Sequence, residues 1–382
     1  MNYPNMKKPS FITKAIVAIS VIAVTMLSSC NKMESPSVHS DFTRRSDMLY
    51  EVTYSDYTTV VPNDRYDDMA GDMGCSSVRN GDFVGRNFDY FMNQCPTFVI
   101  HTTAKEGRYA TIGVGRLAKI KEADIKAGLP DEKVDFLPWA LLDGMNEKGL
   151  VVNTNVLSRE DWGSEDHVGT NKKLPELNVL FTPRALLDNC ADVKTALEYL
   201  DKHNITPLQS KKMNLQIMIS DPKETYVVEF INNKIVARAR NIMTNYHLFY
   251  ENIPDNALGV ERYKVLEDNY DMGGTSMQSM WELMKKARYT NLYDYPTHIW
   301  YSELSSSKYP YSKLEQNKES IEAELSVIAK IWETEKKRIE ESGLPETTSF
   351  WDTAHNSIYD IRNKKLWVTV HEWDSKRQEF NL

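Results

Sequence analysis

Residues 74–90 read GCSSVRNGDFVGRNFDY, two short extended runs on either side of Asn80-Gly81. An Asn-Gly pair flanked this way is the strongest short-range hairpin signal, because a type I′ turn needs φ > 0 at both central positions. With Asn80 and Gly81 as the turn, Cys75 lies directly across from Arg86. Directly opposed residues share a face, with Cβ atoms roughly 4.5–5.5 Å apart. The pattern therefore sets a permanent cation beside a thiol, which favours the thiolate. Two readings stay open on this geometry: an activated nucleophile, or a buried structural cysteine facing an arginine that caps a carboxylate.

Extended runs recur along the chain. Strands are expected at Phe98–His101, Ala110–Gly113, Gly149–Asn155, Leu215–Ser220, Thr225–Phe230 and Lys234–Arg240, with hairpin turns at Asp221–Glu224 and Asn232-Asn233. A last pair, Ser357–Asp360 and Leu366–His371, flanks a turn at Arg362–Lys364. Thr182-Pro183 opens a helix, since proline in the first turn gives up an N–H that has no helical partner there. The helix continues past Cys190 with a break, and its second part sets Val193, Ala196, Leu197 and Leu200 on one face. Ser276–Ala287 and Glu319–Glu341 carry further helical periods, the latter through Ile321, Leu325, Ile328 and Trp332. Strands and helices mixed, with many hairpins, predict an α+β sandwich of largely antiparallel sheets.

Composition narrows the function. The 382 residues are 41% hydrophobic and 26% charged, enough for one large domain or two small ones. A net charge of −8 and a pI near 5.6, without a basic stripe, argue against a nucleic-acid partner. Lys7, Lys8 and Lys14 surround the start of an apolar run, Ala15–Leu27, that falls short of the roughly 20 residues a spanning helix needs. It reads as a secretory signal. Leu27-Ser28-Ser29-Cys30 resembles a bacterial lipobox, which implies removal of 1–29 and a lipid on Cys30; a plain secretory signal is the alternative. Either way an exported protein is expected, a membrane lipoprotein in the first case. Residues 30–74 then read as a polar tether followed by a linker or pro-segment, and 75–382 as the main folded domain. In a disulfide-permissive compartment, the odd set Cys75, Cys95 and Cys190 leaves at least one thiol free or bridged between chains.

Gly74-Cys75-Ser76-Ser77 followed by Gly85-Arg86-Asn87-Phe88-Asp89-Tyr90 resembles the start of the catalytic chain in the choloylglycine hydrolase and acid ceramidase group. These are linear amide C–N hydrolases, among them bile salt hydrolases, penicillin V acylases and N-acylethanolamine amidases. Further segments match in order. Asp143–Leu150 (DGMNEKGL) is similar to the group's strand-entry motif, and Leu215–Glu229 to the hairpin that leads to a Thr-Asn motif, here Met243-Thr244-Asn245. Glu261-Arg262-Tyr263 resembles the segment with a second active-site arginine, and Thr347–His371, with Ile358-Tyr359-Asp360, the terminal strands. The resemblance implies an N-terminal-nucleophile (Ntn) hydrolase fold, an αββα four-layer sandwich with two largely antiparallel sheets. It also implies that Cys75 becomes the first residue of the catalytic chain once a peptide is removed.

The resemblance assigns roles. Cys75 Sγ is the nucleophile and its freed α-amino group the base, whose ordinary pKa of about 7.7–8.0 suits proton transfer near neutrality. Arg86 biases the thiol toward thiolate, and Asp89 holds the amino group and thiol. The Asn245 side-chain amide, with a backbone N–H near Asn155, forms the oxyanion hole, and Arg262 completes the polar network. Three departures stand out: the Cys75–Arg86 hairpin is shorter than usual, the asparagine after Gly149-Leu150 falls one residue from Asn155, and Lys264 competes with Arg262. The second departure leaves Thr154 and Val156 as alternatives. Residues 299–346 read as an insertion, either a lid or a packed elaboration, and Cys95 and Cys190 as structural thiols or a disulfide. No spacing points to a metal, a phosphate loop or a dinucleotide, so no cofactor is expected. The partners expected are a small-molecule N-acyl amide, a membrane reached through Cys30 and, left open, a second copy of the chain. The expected function is hydrolysis of linear amide C–N bonds through a thioester acyl-enzyme. Bile salt hydrolysis, acyl transfer and a catalytically silent surface-binding lipoprotein are the alternatives.

Overall fold

The computed structural model describes residues 37–61, 73–91, 96–117, 120–157, 173–206, 214–249, 259–288, 318–320, 323, 326, 351–370 and 377–382. The strands in the first part of the chain are β1 (Val38–His39), β2 (Thr43–Ser46), β3 (Leu49–Asp56), β4 (Met73–Asn80), β5 (Phe83–Phe91), β6 (Thr97–Thr102), β7 (Thr111–Arg116), β8 (Leu141–Asn146) and β9 (Val151–Leu157). They are followed by β10 (Glu176–Asn178), β11 (Asn204–Thr206), β12 (Asn214–Ser220), β13 (Thr225–Ile231), β14 (Lys234–Ala239), β15 (Ile242–Met243), β16 (Trp351–Asp360), β17 (Lys365–Val370) and β18 (Gln378–Asn381). One sheet runs β1-β3-β6-β7-β8-β9-β12-β13-β14, with β2 also on β3; the other runs β15-β4-β5-β16-β17-β18. Within these two sheets every pairing is antiparallel except β3 with β6.

Two dipeptides explain how the layers stack. Successive side chains of a strand point to opposite faces. In β8 the Asp143 carboxylate reaches across to Arg86 and Ser357 of the second sheet. Gly144 therefore faces the other way, toward the helix Thr182–Asn189, where a Cβ would come within 2.7 Å of Leu187 Cδ1. In β5 the order is mirrored. Arg86 points inward, and Gly85 faces the helix Met277–Lys286 so closely that a Cβ would meet Met284 Cγ at 2.6 Å. Helix, sheet, sheet, helix: the fold is the α+β four-layer sandwich of the Ntn hydrolases.

The outer helices form where the apolar period and the caps place them. Val193–Asp201 starts at Asp192, whose carboxylate accepts from Thr195 N at 2.8 Å, and it buries Val193, Ala196 and Leu200. Met277–Lys286 starts at Ser276, whose hydroxyl accepts from Ser279 N at 3.0 Å; Met280, Leu283 and Met284 then pack with Val78 and Ile358 of the second sheet. The helices Glu122–Ala127, Asp131–Phe136 and Val260–Asp268 were not expected from the sequence. Nearly all of Glu319–Glu341 and of the 299–346 insertion lies outside the described residues, as do Cys30 and Cys95.

The β4–β5 hairpin forms, but on a different turn. Asn80 pairs with Phe83, so Gly81-Asp82 is the two-residue loop, and of these two only Gly81 has positive φ, at 60°. That is the type II′ pattern, with glycine at the first central position. Asn80 stays in the strand, where its Nδ2 donates to Tyr270 O at 2.7 Å. The register expected from an Asn80-Gly81 turn is thereby corrected by two residues: Cys75 faces Phe88, and Arg86 faces Ser77. A shift of two preserves the face, so Arg86 still reaches the thiol, now along a diagonal. Asn232-Asn233 does make a turn left-handed at both positions, with φ of 48° and 64°.

The stretch before the active strand is also corrected in part. Residues 49–57, within the stretch read as linker or pro-segment, belong to the core. β3 lies inside the larger sheet with Tyr50, Val52 and Tyr54 buried. Tyr57 OH bonds both oxygens of Asp188, at 2.8 and 2.7 Å, and the Arg108 guanidinium stacks 4.0 Å from its ring centroid.

Candidate active site

Each polar atom of Cys75 is held by a different side chain. Its backbone N donates to Asn245 Oδ1 at 2.6 Å, its carbonyl O accepts from Arg262 Nη1 at 2.7 Å, and its Sγ accepts from Arg86 Nη2 at 3.5 Å. The residue is fully buried. Alternation along the strands separates these jobs. Arg86 lies on the inner face of β5 with the sulfur, whereas Asp89, three residues on, points to the opposite face.

The backbone of Asp89 bears directly on the thiol, whereas its carboxylate reaches Cys75 indirectly. Its carboxylate accepts from Thr353 Oγ1 at 2.6 Å and from Arg262 Nη1 at 3.2 Å, and Arg262 grips the cysteine carbonyl. A β-bulge between Thr353 and His355 in β16 brings Thr353 opposite Asp89. With Gly74 still attached, the Cys75 N–H is bonded by Asn245 Oδ1 and not by the Asp89 carboxylate. Asn245 also accepts from Arg262 Nη2 at 2.7 Å and donates from Nδ2 to Val156 O at 2.7 Å. Two donors on the oxygen and a carbonyl on the nitrogen fix the amide's orientation. Thr244 Oγ1 donates to Gly259 O at 2.8 Å, stitching the Thr-Asn segment to the start of the helix Val260–Asp268 and placing Arg262 within its first turn.

Asn155 does not join this network. Its Oδ1 accepts from Ser77 Oγ at 3.3 Å and its Nδ2 donates to Met243 O at 3.1 Å, so it bridges the two sheets. The carbonyls of Thr154 and Val156 face the site, bound by Arg86 Nη2 at 2.6 Å and Asn245 Nδ2 at 2.7 Å. Neighbouring residues present their backbone groups to opposite edges of a strand. The N–H of Asn155 thus faces β12, where it is paired opposite Gln216, and the edge turned to Cys75 carries the groups of Thr154 and Val156. Of the two cations proposed for the helix segment, Arg262 is the one that contacts Cys75.

Arg86 acts on the thiol in the expected direction, but burial outweighs it. Burial pushes the Cys75 thiol up to about 11; Arg86 pulls it down and Asp89 pushes it up further, but desolvation wins. The cysteine is a neutral thiol at pH 7, not a standing thiolate. Burial likewise raises Asp89 to about 6, against the pull of Arg262 and Thr353. Asp143 is buried too, yet Arg86, His355 and Tyr359 together hold it at about 2. Burial lowers His355 to about 4, so its ring is neutral, and it stacks on Phe88 with centroids 5.0 Å apart.

Asp143, Thr353, His355, Ser357 and Tyr359 were not singled out from the sequence as site residues. The signal was there: polar residues at 353, 355, 357 and 359 in a strand whose Ala354 and Ile358 are apolar. Cys190 is buried at the end of the helix Thr182–Asn189, a free thiol among the described residues; Cys95, its partner in the disulfide alternative, lies outside them.

Solved structures with similar folds include a mutant of conjugated bile acid hydrolase from Clostridium perfringens, 14% identical, covering 81% of this chain and 92% of that one with a TM-score of 0.49. Penicillin V acylase from Agrobacterium tumefaciens is also 14% identical, covering 78% of this chain and 82% of that one with a TM-score of 0.42. No curated protein matches the chain. The family described as acyl-coenzyme A:6-aminopenicillanic acid acyl-transferase matches residues 77–374, from within β4, two residues after Cys75, through β17, and so leaves out β1–β3 and β18. The chain, an Ntn-type amide hydrolase or acyltransferase in its fold, belongs to the acyl-coenzyme A:6-aminopenicillanic acid acyl-transferase family.

Proposed function

We propose that this chain hydrolyses linear amide bonds of small N-acyl compounds, with Cys75 as an N-terminal nucleophile after cleavage of the Gly74–Cys75 bond. The observation that carries the reading is the threefold grip on Cys75, with nitrogen, carbonyl and sulfur each assigned its own partner. While Gly74 is attached, the Cys75 nitrogen is an amide and cannot act as a base. Once freed, it is an amine held by Asn245 Oδ1, and the neighbouring Arg262 guanidinium favours its neutral form. A neutral thiol needs such a base at the moment of attack. The amine takes the thiol proton, Sγ adds to the substrate carbonyl, and the proton passes to the leaving nitrogen as the thioester forms. Water, deprotonated by the same amine, then releases the acid. The developing oxyanion falls to Asn245 Nδ2 and to the N–H of Val156, on the edge of β9 turned to the site.

Membership of an acyl-transferase family favours a second reading, in which an amine rather than water accepts the acyl group. The same acyl-enzyme serves both. We further propose export of the chain and its attachment to a membrane through a lipid on Cys30, on the lipobox-like sequence.

The test is a substrate panel of conjugated bile acids, N-acylethanolamines, N-acyl amino acids and penicillin V, read by product mass, with and without an added amine acceptor. It is run on protein whose N-terminus has been sequenced. Turnover by protein starting at Cys75, abolished in Cys75→Ser, is expected. Turnover by a chain that keeps Gly74 ahead of Cys75 refutes the mechanism.

A further inference from the structure

Behind Arg86 lies a carboxylate with more partners than charge balance requires. Asp143 Oδ2 accepts from Arg86 Nη1 at 2.7 Å and from His355 Nε2 at 3.2 Å; Oδ1 accepts from Ser357 Oγ at 2.8 Å and from Tyr359 OH at 2.5 Å. All five residues are fully buried. A carboxylate offers about four lone-pair sites, and here all four are used. Three of the donors sit at alternate positions of β16, on the face turned to the larger sheet, and the fourth, Arg86, stands directly across from Ser357. One side chain of β8 is thus pinned from two neighbouring strands of the opposite sheet.

The guanidinium is planar, so fixing one terminal nitrogen fixes the direction of the other. With Nη1 on Asp143, Nη2 lies between Thr154 O at 2.6 Å and Cys75 Sγ at 3.5 Å. We propose that Asp143, locked by His355, Ser357 and Tyr359, is the positioning residue that aims Arg86 at the sulfur of Cys75. It rests on the reading of Cys75 as nucleophile and adds a residue to it. Asp143 does not act on the thiol directly. The charged groups that bear on Cys75 are Arg86, Asp89 and Arg262; those that bear on Asp143 are Arg86 and, when charged, His355.

The competing account is that Asp143 only neutralises a buried arginine, and the two differ in sign. If Asp143 merely offsets charge, Asp143→Asn strengthens the field of Arg86 at the sulfur and makes the thiol more reactive. If Asp143 aims Arg86, the variant loses that field and the thiol becomes less reactive. A cation within about 4–6 Å lowers an acid's pKa by about 1–3 units, so the loss is about tenfold in thiolate at a fixed pH.

The experiment is alkylation of the full chain by iodoacetamide at several pH values, read at Cys75 by peptide mass. Both thiols are buried and react through opening; Cys190, in the outer helix layer on the far side of the larger sheet, gauges that opening, and the ratio of the two rates removes it. The Cys75:Cys190 rate ratio is expected to fall about tenfold in Asp143→Asn and to fall less in Tyr359→Phe, which keeps the carboxylate and removes one donor. A ratio that rises or stays level in Asp143→Asn overturns the proposal. Where that variant does not fold, a level ratio in Tyr359→Phe overturns it. Alkylation needs no substrate, so an active Cys75→Ser enzyme would sink the nucleophile reading without altering this result.

Discussion

Asp89 is a buried carboxyl that the fold prefers to keep protonated, and its replacement by asparagine has a calculable signature. The ordinary value of 3.8 rises to about 6 in the folded chain. A raised folded pKa contributes stability that is fully present below the unfolded value and is lost as pH rises through about 6. At about 1.36 kcal/mol per unit the whole effect is about 3 kcal/mol, and roughly half of it is lost between pH 5 and pH 8. Asparagine has no proton to lose, and its amide can still accept from Arg262 and donate to Thr353 Oγ1. The comparison is made in a Cys75→Ala background, which keeps the Gly74–Cys75 bond intact. Urea unfolding at pH 5 and pH 8 gives the two stabilities. The stability of Asp89→Asn relative to its parent should improve by about 1 kcal/mol or somewhat more on going from pH 5 to pH 8. A difference that is flat with pH refutes the argument, and one of opposite sign means that Arg262 outweighs burial.

Three further outcomes are expected. Asn245→Ala should lower kcat for any turned-over substrate by about 100–1,000-fold, as loss of a transition-state donor does, and a change confined to KM would show that Asn245 only contacts substrate. Gly85→Ala drives a methyl group into Met284 Cγ at 2.6 Å and Met280 Sδ at 2.9 Å, and should destabilise the fold by about 1–3 kcal/mol in chemical denaturation. An unchanged midpoint would mean that the helix simply moves away. Tyr57→Phe removes a hydroxyl bonded to the Asp188 carboxylate and should cost about 1.5–3 kcal/mol, whereas a variant as stable as its parent would locate the hold on this segment in β3 alone.

The layers and most strands were legible because period-2 patterns and turn residues act locally. The turn at 80–83 was misassigned for a reason the local code does not contain: Tyr270, far along the chain, offers its carbonyl to Asn80 and holds it in the strand. Residues 49–57 fall in a stretch read as linker or pro-segment because it lacks a helical period; the alternation of Tyr50, Val52 and Tyr54 becomes a buried strand only with β6 beside it. In the site, Cys75, Arg86, Asn245 and Arg262 were found as motif members, and the structure brings all four into contact. The sequence does not show that burial outweighs Arg86 at the thiol, because desolvation depends on what the rest of the fold places overhead. Nor does it show the four-donor cage of Asp143, which needs two sheets face to face.

β3 is an interior strand donated from upstream of Cys75, hydrogen-bonded to β6 on one side and to β1 and β2 on the other. A catalytic chain begun at Cys75 would lack it and leave Thr97–Thr102, a largely buried apolar strand, as a bare edge open to pairing with other chains. Cutting the Gly74–Cys75 bond is therefore a different event from parting the two pieces. The first breaks one covalent bond, while the second requires unzipping a sheet and drawing Tyr57 out from between Arg108 and Arg184. On this view a lipid at Cys30 would hold the enzyme by a folded joint, whose lifetime is set by the local unfolding rate of β3 and not by any peptide linkage.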